Sequence, residues 1–493
     1  MSFHLGHYSA HMYGSAIAVA LALVLLRTAM QVLGAPTSRV PGPWYSKWTS
    51  LVLDYHFLKG QRTVYVHALH RQYGPVVRIG PNEVDVTDLD AVRAIYGTKE
   101  TFRKSDFYRR LVPGGQQSMF STADVDFHRR HRRLLAGPMS ETSLKSVTGQ
   151  VDARVRLAVD KMGQEMKSRG AVDVSKFWLF MATDVIGELT FGESFRMLEL
   201  GEKNEYVGDL ERVNRMSAIR VTFPSLVRFS RIVPLPVFKR AQETGQNFAR
   251  YATESLIRHR KLVEADPDLV RQTLFTKLFK AEDDDTMPFD EVRDEARSYI
   301  IAGSDTTSNT LTYLTWSVCR NPRLRVALVD ELQKLPADFT DAQLRHLGLL
   351  NHVIDETLRL YSAVPAALPR VVPPGGVELA GYRFDEGTVV CAQAYSMHRD
   401  HDIYPNPDAF VPSRWADPTK AMKEAYMPFG RGPRVCIGQH LAQIELRLAT
   451  ARFFLAFPNA QMSSLEAMSD LDMKPRMHFL LSPSGGRCLV EAR

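Results

Sequence analysis

Hydrophobic and polar positions along the chain follow three rhythms. The first is a continuous apolar run. From Met12 to Leu26 the residues are mostly Ala, Leu and Val, and the apolar character continues past Arg27 to about Ala35. A bilayer-spanning helix needs about 20 such residues, so residues 1–35 are expected to form one transmembrane anchor. The first eleven residues hold no Lys or Arg, whereas a cleaved signal peptide opens on a positive segment. Arg27, Arg39 and Lys47 come later, and positive residues stay on the cytosolic side. Pro36, Pro41 and Pro43 then stop the helix and stiffen a hinge over 36–45. The remainder, 46–493, reads as one large folded unit.

The second rhythm has period two. Val76 to Ile79 and Glu83 to Thr87 flank the turn Gly80-Pro81-Asn82 and predict an antiparallel pair of strands. Further strands are expected at Val377–Ala380 and Thr388–Gln393. Met473–Leu481 reads as one more, turning at Ser482–Gly485. The third rhythm is helical. It predicts helices at His67–Tyr73, through most of Val151–Lys280 with breaks at Phe223-Pro224 and Val233–Pro236, and at Gln439–Phe457. A helix from Phe289 to Asn321-Pro322 would run roughly 45 Å. Its middle, Gly303 to Thr310, consists of poor helix formers, and a local opening is expected there. Leu350, Val353, Ile354, Thr357, Leu358 and Tyr361 form an apolar stripe that leaves Glu356 and Arg359 on roughly the opposite side. Pattern alone makes those two a solvated i, i+3 pair worth a few tenths of a kcal/mol. The fold class is therefore mainly α with a small β-rich side.

Composition narrows the function. The 493 residues are 45% hydrophobic, enough for a large core, and the net charge of +7 is too mild at this length to imply nucleic acid. The four cysteines, Cys319, Cys391, Cys436 and Cys488, are scattered, which fits a reducing compartment without disulfides. No Gly-x-Gly-x-x-Gly follows a strand, and His-Glu-x-x-His and Gly-x-Ser-x-Gly are absent.

The chemistry centres on Phe429-Gly-Arg-Gly-Pro-Arg-Val-Cys436-Ile-Gly438. Glycines let the backbone curl around a sulfur, Arg431 and Arg434 add positive charge, and the next helix aims its N-terminal dipole there. A nucleophilic cysteine would want a base, and zinc would want more ligands. A single axial thiolate on haem iron needs neither. Phe-x-x-Gly-x-Arg-x-Cys-x-Gly resembles the haem loop of the cytochrome P450 family. The chain resembles this family in three more motifs, in the family's order: Asp126-Phe-His128-Arg-Arg-His-Arg132, Ala302-Gly-Ser-Asp305-Thr306-Thr307, and Glu356-x-x-Arg359 followed by Pro412-Ser-Arg414-Trp415.

The resemblance implies the family's fold and a haem-thiolate monooxygenase that inserts one oxygen atom from O2 into a small lipophilic substrate. It implies haem b, held through Cys436, Phe429 and Gly438, with His128, Arg132, Arg370 and Arg434 toward the propionates. His128 stands where the family usually has Trp. Asp305 and Thr306 would handle protons, and Glu356, Arg359 and Arg414 would brace the cysteine loop. Electrons would come from NADPH through a separate reductase, with cytochrome b5 as a second donor. Arg129, Arg130 and Arg133 would offer that partner a basic face. The endoplasmic reticulum membrane and fungal secondary metabolism follow from the same likeness. A haem-thiolate isomerase that uses no O2, and a non-catalytic haem protein at the membrane, are the other readings.

Overall fold

The computed structural model describes residues 19, 23, 26–97, 101–112, 116–202, 205–230, 232, 235–265, 273–284 and 287–492. The expected anchor lies largely outside these, as do 113–115 and 233–234. Among the described residues no helix is long and apolar enough to cross a membrane.

The proline-rich segment does not hang free. It forms two single turns, Pro36–Arg39 and Trp44–Lys47, docked on the first sheet. Arg78, 1% exposed, collects it: Nη1 donates to the Val40 carbonyl at 2.6 Å, Nη2 to Pro43 at 3.1 Å, and Nε to Ser46 Oγ at 3.1 Å. A guanidinium with several donors in one plane suits a curled run of carbonyls that proline cannot pair within a helix.

Helices α1 (Leu51–Leu58) and α2 (Arg62–Tyr73) lead into strands β1 (Val76–Gly80) and β2 (Glu83–Val86). Helix α2 starts five residues earlier than the sequence pattern predicts. β1 and β2 pair antiparallel as expected. They join β3 (Arg103–Lys104), β4 (Arg370–Val371) and, after the hairpin β5 (Val377–Leu379) and β6 (Tyr382–Phe384), β7 (Val389–Cys391). The sheet order is β1-β2-β7-β4-β3. Met473–Leu481 is not one strand. It splits into β8 (Pro475–Met477) and β9 (Leu481–Pro483), paired across a turn at 478–480. The turn falls there because Met477 and Leu481 are buried partners, and each backbone continues into another segment: Met477 N–H donates to Gly60 and Leu481 N–H to Ala363.

The rest is helical: α3 (Phe107–Leu111), α4 (Val125–Ala136), α5 (Thr148–Arg169), α6 (Val174–Phe191), α7 (Glu205–Thr222), α8 (Pro224–Phe229), α9 (Pro236–Ala265), α10 (Phe289–Cys319), α11 (Gly348–Leu360) and α12 (Gln439–Ala456). One large core joins α5, α6, α10, α11 and α12, with α10 through its middle.

Helix α10 is not opened at its weak centre, contrary to expectation; it is helical from Phe289 to Cys319. Its hydroxyls bond back into the helix instead: Ser304 Oγ donates to the Ile300 carbonyl at 2.8 Å, Thr306 Oγ1 to Ala302 at 2.7 Å, and Thr310 Oγ1 to Thr306 at 2.9 Å. Gly303 serves close packing, since a Cβ there would meet Ile186 Cγ1 at 2.7 Å.

Candidate functional site

The cysteine loop is shaped by two glycines in the left-handed region, Gly430 (φ +74°) and Gly432 (φ +68°). At Gly432 a Cβ would sit 2.0 Å from the Tyr96 carbonyl oxygen, so only glycine lets the loop lie against that backbone. Cys436 N–H then donates to the Phe429 carbonyl at 2.9 Å, closing the curl.

Cys436 is the exposed cysteine; Cys319, Cys391 and Cys488 are buried. Surrounding protein nevertheless desolvates its thiol enough to raise the pKa, against the Gly438 N–H and Arg132, which lower it. An accessible yet desolvated thiol faces an internal cavity. Arg431 and Arg434, the loop's own arginines, are not among the groups that lower it. Arg431 turns instead to the Glu424 carbonyl, and Arg434 donates to Thr122 at 3.1 Å. The cation that reaches the loop is Arg132, whose Nη1 donates to the Val435 carbonyl at 2.8 Å. A thiol pushed up is a poor nucleophile, whereas a coordinated metal ionises it outright.

Helix α10 presents Ser298, Ala302 and Thr306, four residues apart, as an incompletely buried strip along its middle, and Ala302 is exposed. Tyr299, beside Ser298, lies within electrostatic reach of Cys436, so this strip borders the same cavity. Asp305, next to Thr306, is buried, and burial with the charge of Glu211 pushes its carboxyl up to about 7.

The predicted propionate residues come together. His128 is buried and is driven down to about 3, by burial first and then by Arg434, Lys104, Arg132 and Arg370. His128 is therefore neutral at physiological pH, and four cations converge around it. Arg370 is 5% exposed; its guanidinium stacks 5.5 Å over the Tyr96 ring and its Nε bonds to no protein atom. This donor set fits a dianionic edge, and the accessible thiol fits an axial ligand. All three arginines expected on the outer face of α4 are exposed; Arg130 pairs with Glu291 at 2.7 Å and Arg129 lies 3.7 Å from Asp126.

Glu356 and Arg359 overturn the reading from pattern alone. Both side chains are wholly buried. Glu356 Oε1 accepts from Arg359 Nη2 (2.8 Å), Val411 N–H (2.8 Å) and Arg414 Nε (3.1 Å); Oε2 accepts from Arg359 Nε (2.8 Å) and Trp415 Nε1 (3.0 Å). Arg359 also donates to the carbonyls of His398, Pro407 and Ala409. The helical stripe could not reveal this, because the second apolar layer comes from residues 405–415, far along the chain.

Two participants carried no sequence signal. His398 Nδ1–H donates to the Arg359 carbonyl and its Nε2 accepts from Met427 N–H, each at 2.9 Å. It couples the triad to the backbone two residues before Phe429. Glu445, on α12, is buried and pushed up to about 8 by desolvation, and Thr307 Oγ1 donates to it at 3.1 Å.

Comparison with known proteins agrees with this geometry. The cytochrome P450 family model matches residues 39–490. A cytochrome P450 monooxygenase of Aspergillus terreus, tazI, is 47% identical over 97% of this chain and 98% of its own length. Another of Aspergillus niger, orf2, is 42% identical over 97% of each. A benzoate 4-monooxygenase of Aspergillus niger, bphA, is 29% identical over 96% of each. With the family model spanning nearly the whole chain, this protein belongs to the cytochrome P450 family and is a monooxygenase of the haem-thiolate type, supplied with electrons by a redox-partner reductase.

Proposed function

We propose that Cys436 is the axial ligand of haem b in a monooxygenase that oxidises a small lipophilic compound of fungal secondary metabolism. The observation that carries the assignment is the Cys436 thiol, accessible yet enclosed, on the cavity bordered by the Ser298–Ala302–Thr306 strip. When bound, the thiolate-ligated haem supplies O2 reduction and oxygen-atom transfer.

The chain's own residues do the rest. Arg370, Arg132, Arg434 and the neutral His128 hold the propionates. Phe429 and Gly438 shape the loop around the sulfur. Glu356, Arg359 and Arg414, with His398, keep that loop from shifting. Thr306 holds a hydroxyl at the cavity wall, now turned to the Ala302 carbonyl and free to rotate toward a proton acceptor. Asp305, titrating near 7, alternates between donor and acceptor at working pH. An isomerase needs no such relay, which favours O2 chemistry.

A membrane setting is part of the proposal. Trp44, Trp48, Leu51 and Tyr55 are exposed near the N-terminus, and so are Phe223, Leu226, Phe229, Ile232, Leu235 and Val237 around α8. Apolar surface of this extent supports a bilayer-facing side, with the run over 12–35 as anchor and the hinge 36–45 before the catalytic unit. Arg129 and Arg133, outward beside Arg132, support docking of the reductase and of cytochrome b5.

The test is co-expression with an NADPH-dependent reductase in a host that makes candidate scaffolds. Mass spectrometry should find product gaining one oxygen, labelled from isotopic O2. Unlabelled product, or turnover without NADPH, would favour the isomerase. Replacing Cys436 with Ser should abolish the thiolate-type carbon monoxide band; its survival would refute the ligand assignment.

A further inference from the structure

Residues 116–122, between α3 and α4, form neither helix nor strand, so their backbone has no repeating partners and must find others. Three residues of α10 supply contacts. Asp294 Oδ2 accepts from Gln117 N–H at 3.1 Å, Glu295 Oε1 accepts from Met119 N–H at 2.6 Å, and Ser298 Oγ donates to Ser118 Oγ at 2.9 Å. At the other end Arg434 Nη1, from the cysteine loop, donates to the Thr122 carbonyl at 3.1 Å. The segment therefore runs from the first residue of the cavity strip to the loop that carries Cys436.

One residue in it breaks the pattern of burial. Ser118, Met119, Ser121 and Thr122 are buried, yet Phe120 is 36% exposed. A ring left open between buried neighbours, on a stretch anchored to both the strip and the cysteine loop, faces the cavity between them. Phe479 and Tyr108 brace it edge to face, with ring centres 5.8 Å and 5.7 Å away, and Lys104 Nζ donates to its carbonyl.

Glu295 is the costliest of these ties, because it is a buried carboxylate. Its Oε1 also accepts from His131 Nδ1–H at 2.7 Å. His131, buried on α4, stacks on Phe127 at 3.9 Å, and its Nε2 lies 2.9 Å from Glu291 Oε2, one turn earlier on α10. Arg130 Nη2 donates to that same Glu291 oxygen at 2.7 Å. Holding two helices together asks for no charge, since apolar side chains of similar volume serve as well or better. What the carboxylate adds is a fixed acceptor. One oxygen, steadied from α4 by His131, pins the backbone N–H of the residue before Phe120.

We propose that Glu295 and His131 are positioning residues for substrate binding. Through the Met119 N–H they set the Phe120 ring as a wall against which an apolar, ring-bearing substrate lies. This rests on the reading that the cavity bordered by Ser298, Ala302 and Thr306 receives the substrate beside haem.

The haem-loaded full chain is titrated with a biphenylylimidazole and with imidazole, following the Soret shift as the imidazole nitrogen binds iron. Only the first probe places rings in the cavity. Phe120→Ala should weaken it about three- to tenfold, the scale of one aromatic pair, with imidazole affinity unchanged. Glu295→Gln and His131→Phe should each weaken the same probe and spare imidazole, and neither should weaken it further in a Phe120→Ala background. Losses that multiply in the double variants, or that fall equally on imidazole, would make the pair a general brace and overturn the proposal. So would a Phe120→Ala variant that binds the ringed probe as tightly as wild type. If Glu295→Gln fails to load haem, the His131→Phe cycle decides, and failure of both assigns the pair to haem-site assembly and rejects the proposal. The carbon monoxide band of the same samples reports separately on the haem-thiolate reading.

Discussion

Replacing Glu356 with Gln probes the link between a buried charge and the cysteine loop. The two side chains have nearly the same shape, so packing is kept and charge is removed. In the wild type five donors converge on the carboxylate, two on Oε2 and three on Oε1. In its better orientation glutamine places its NH2 at the Oε2 position, facing Arg359 Nε and Trp415 Nε1, which are donors themselves. Two hydrogen bonds become donor–donor contacts, and Arg359, wholly buried, loses its counter-charge. Removing one partner of a buried ion pair costs about 3–5 kcal/mol, and bonds to charged groups are individually worth about 1.5–3 kcal/mol. Against a total stability of roughly 5–15 kcal/mol, this is about a fifth or more. The melting midpoint should fall by roughly 3–5 °C, and haem should be lost faster on dilution, because Arg359 reaches the loop through His398 and Met427. The assay pairs differential scanning calorimetry with the rate of haem transfer to apomyoglobin. Arg414→Gln sets the scale: it gives up one 3.1 Å contact to Glu356 and a donation to the Pro405 carbonyl, and should cost less. A Glu356→Gln variant that melts within about 1 °C of wild type and keeps its haem would refute the reasoning.

Further outcomes concern protons. Thr306→Ala removes the hydroxyl at the cavity wall and should raise the peroxide formed per NADPH several-fold, with substrate affinity little changed; unchanged coupling would exclude Thr306 from proton delivery. Asp305 carries its proton below about 7 and loses it above. Coupling of NADPH to product should therefore decline as pH rises through 7, and Asp305→Asn should flatten that profile and slow turnover. Glu445 has a folded pKa near 8 against an ordinary 4.5, so the folded chain holds one extra proton between those values. Its contribution to stability is greatest below about 4.5 and declines until about 8. In urea titrations Glu445→Gln should lessen the loss of stability between pH 6 and 8, and an identical slope in both proteins would count against a buried neutral acid.

Residues close in sequence were legible because their physics is local. Period-two alternation located β1 and β2, prolines located the ends of α7 and α10, and the glycines around Cys436 announced a tight loop. The spacing of His128 and Arg132 sufficed to set both on one side of α4, where the cavity-edge cations gather. Other features depended on what packs from elsewhere. Glu356 looks solvated until residues 405–415 cover it, so its burial is a property of a contact between distant segments. The weak middle of α10 reads as a break until Ile186 fills the space at Gly303 and the hydroxyls find carbonyls one turn back. His398 and Glu445 belong to no local pattern. A lone charged or titratable residue looks alike on a surface or in a core, and only the tertiary structure decides which side chains lose their water and what they meet in its place.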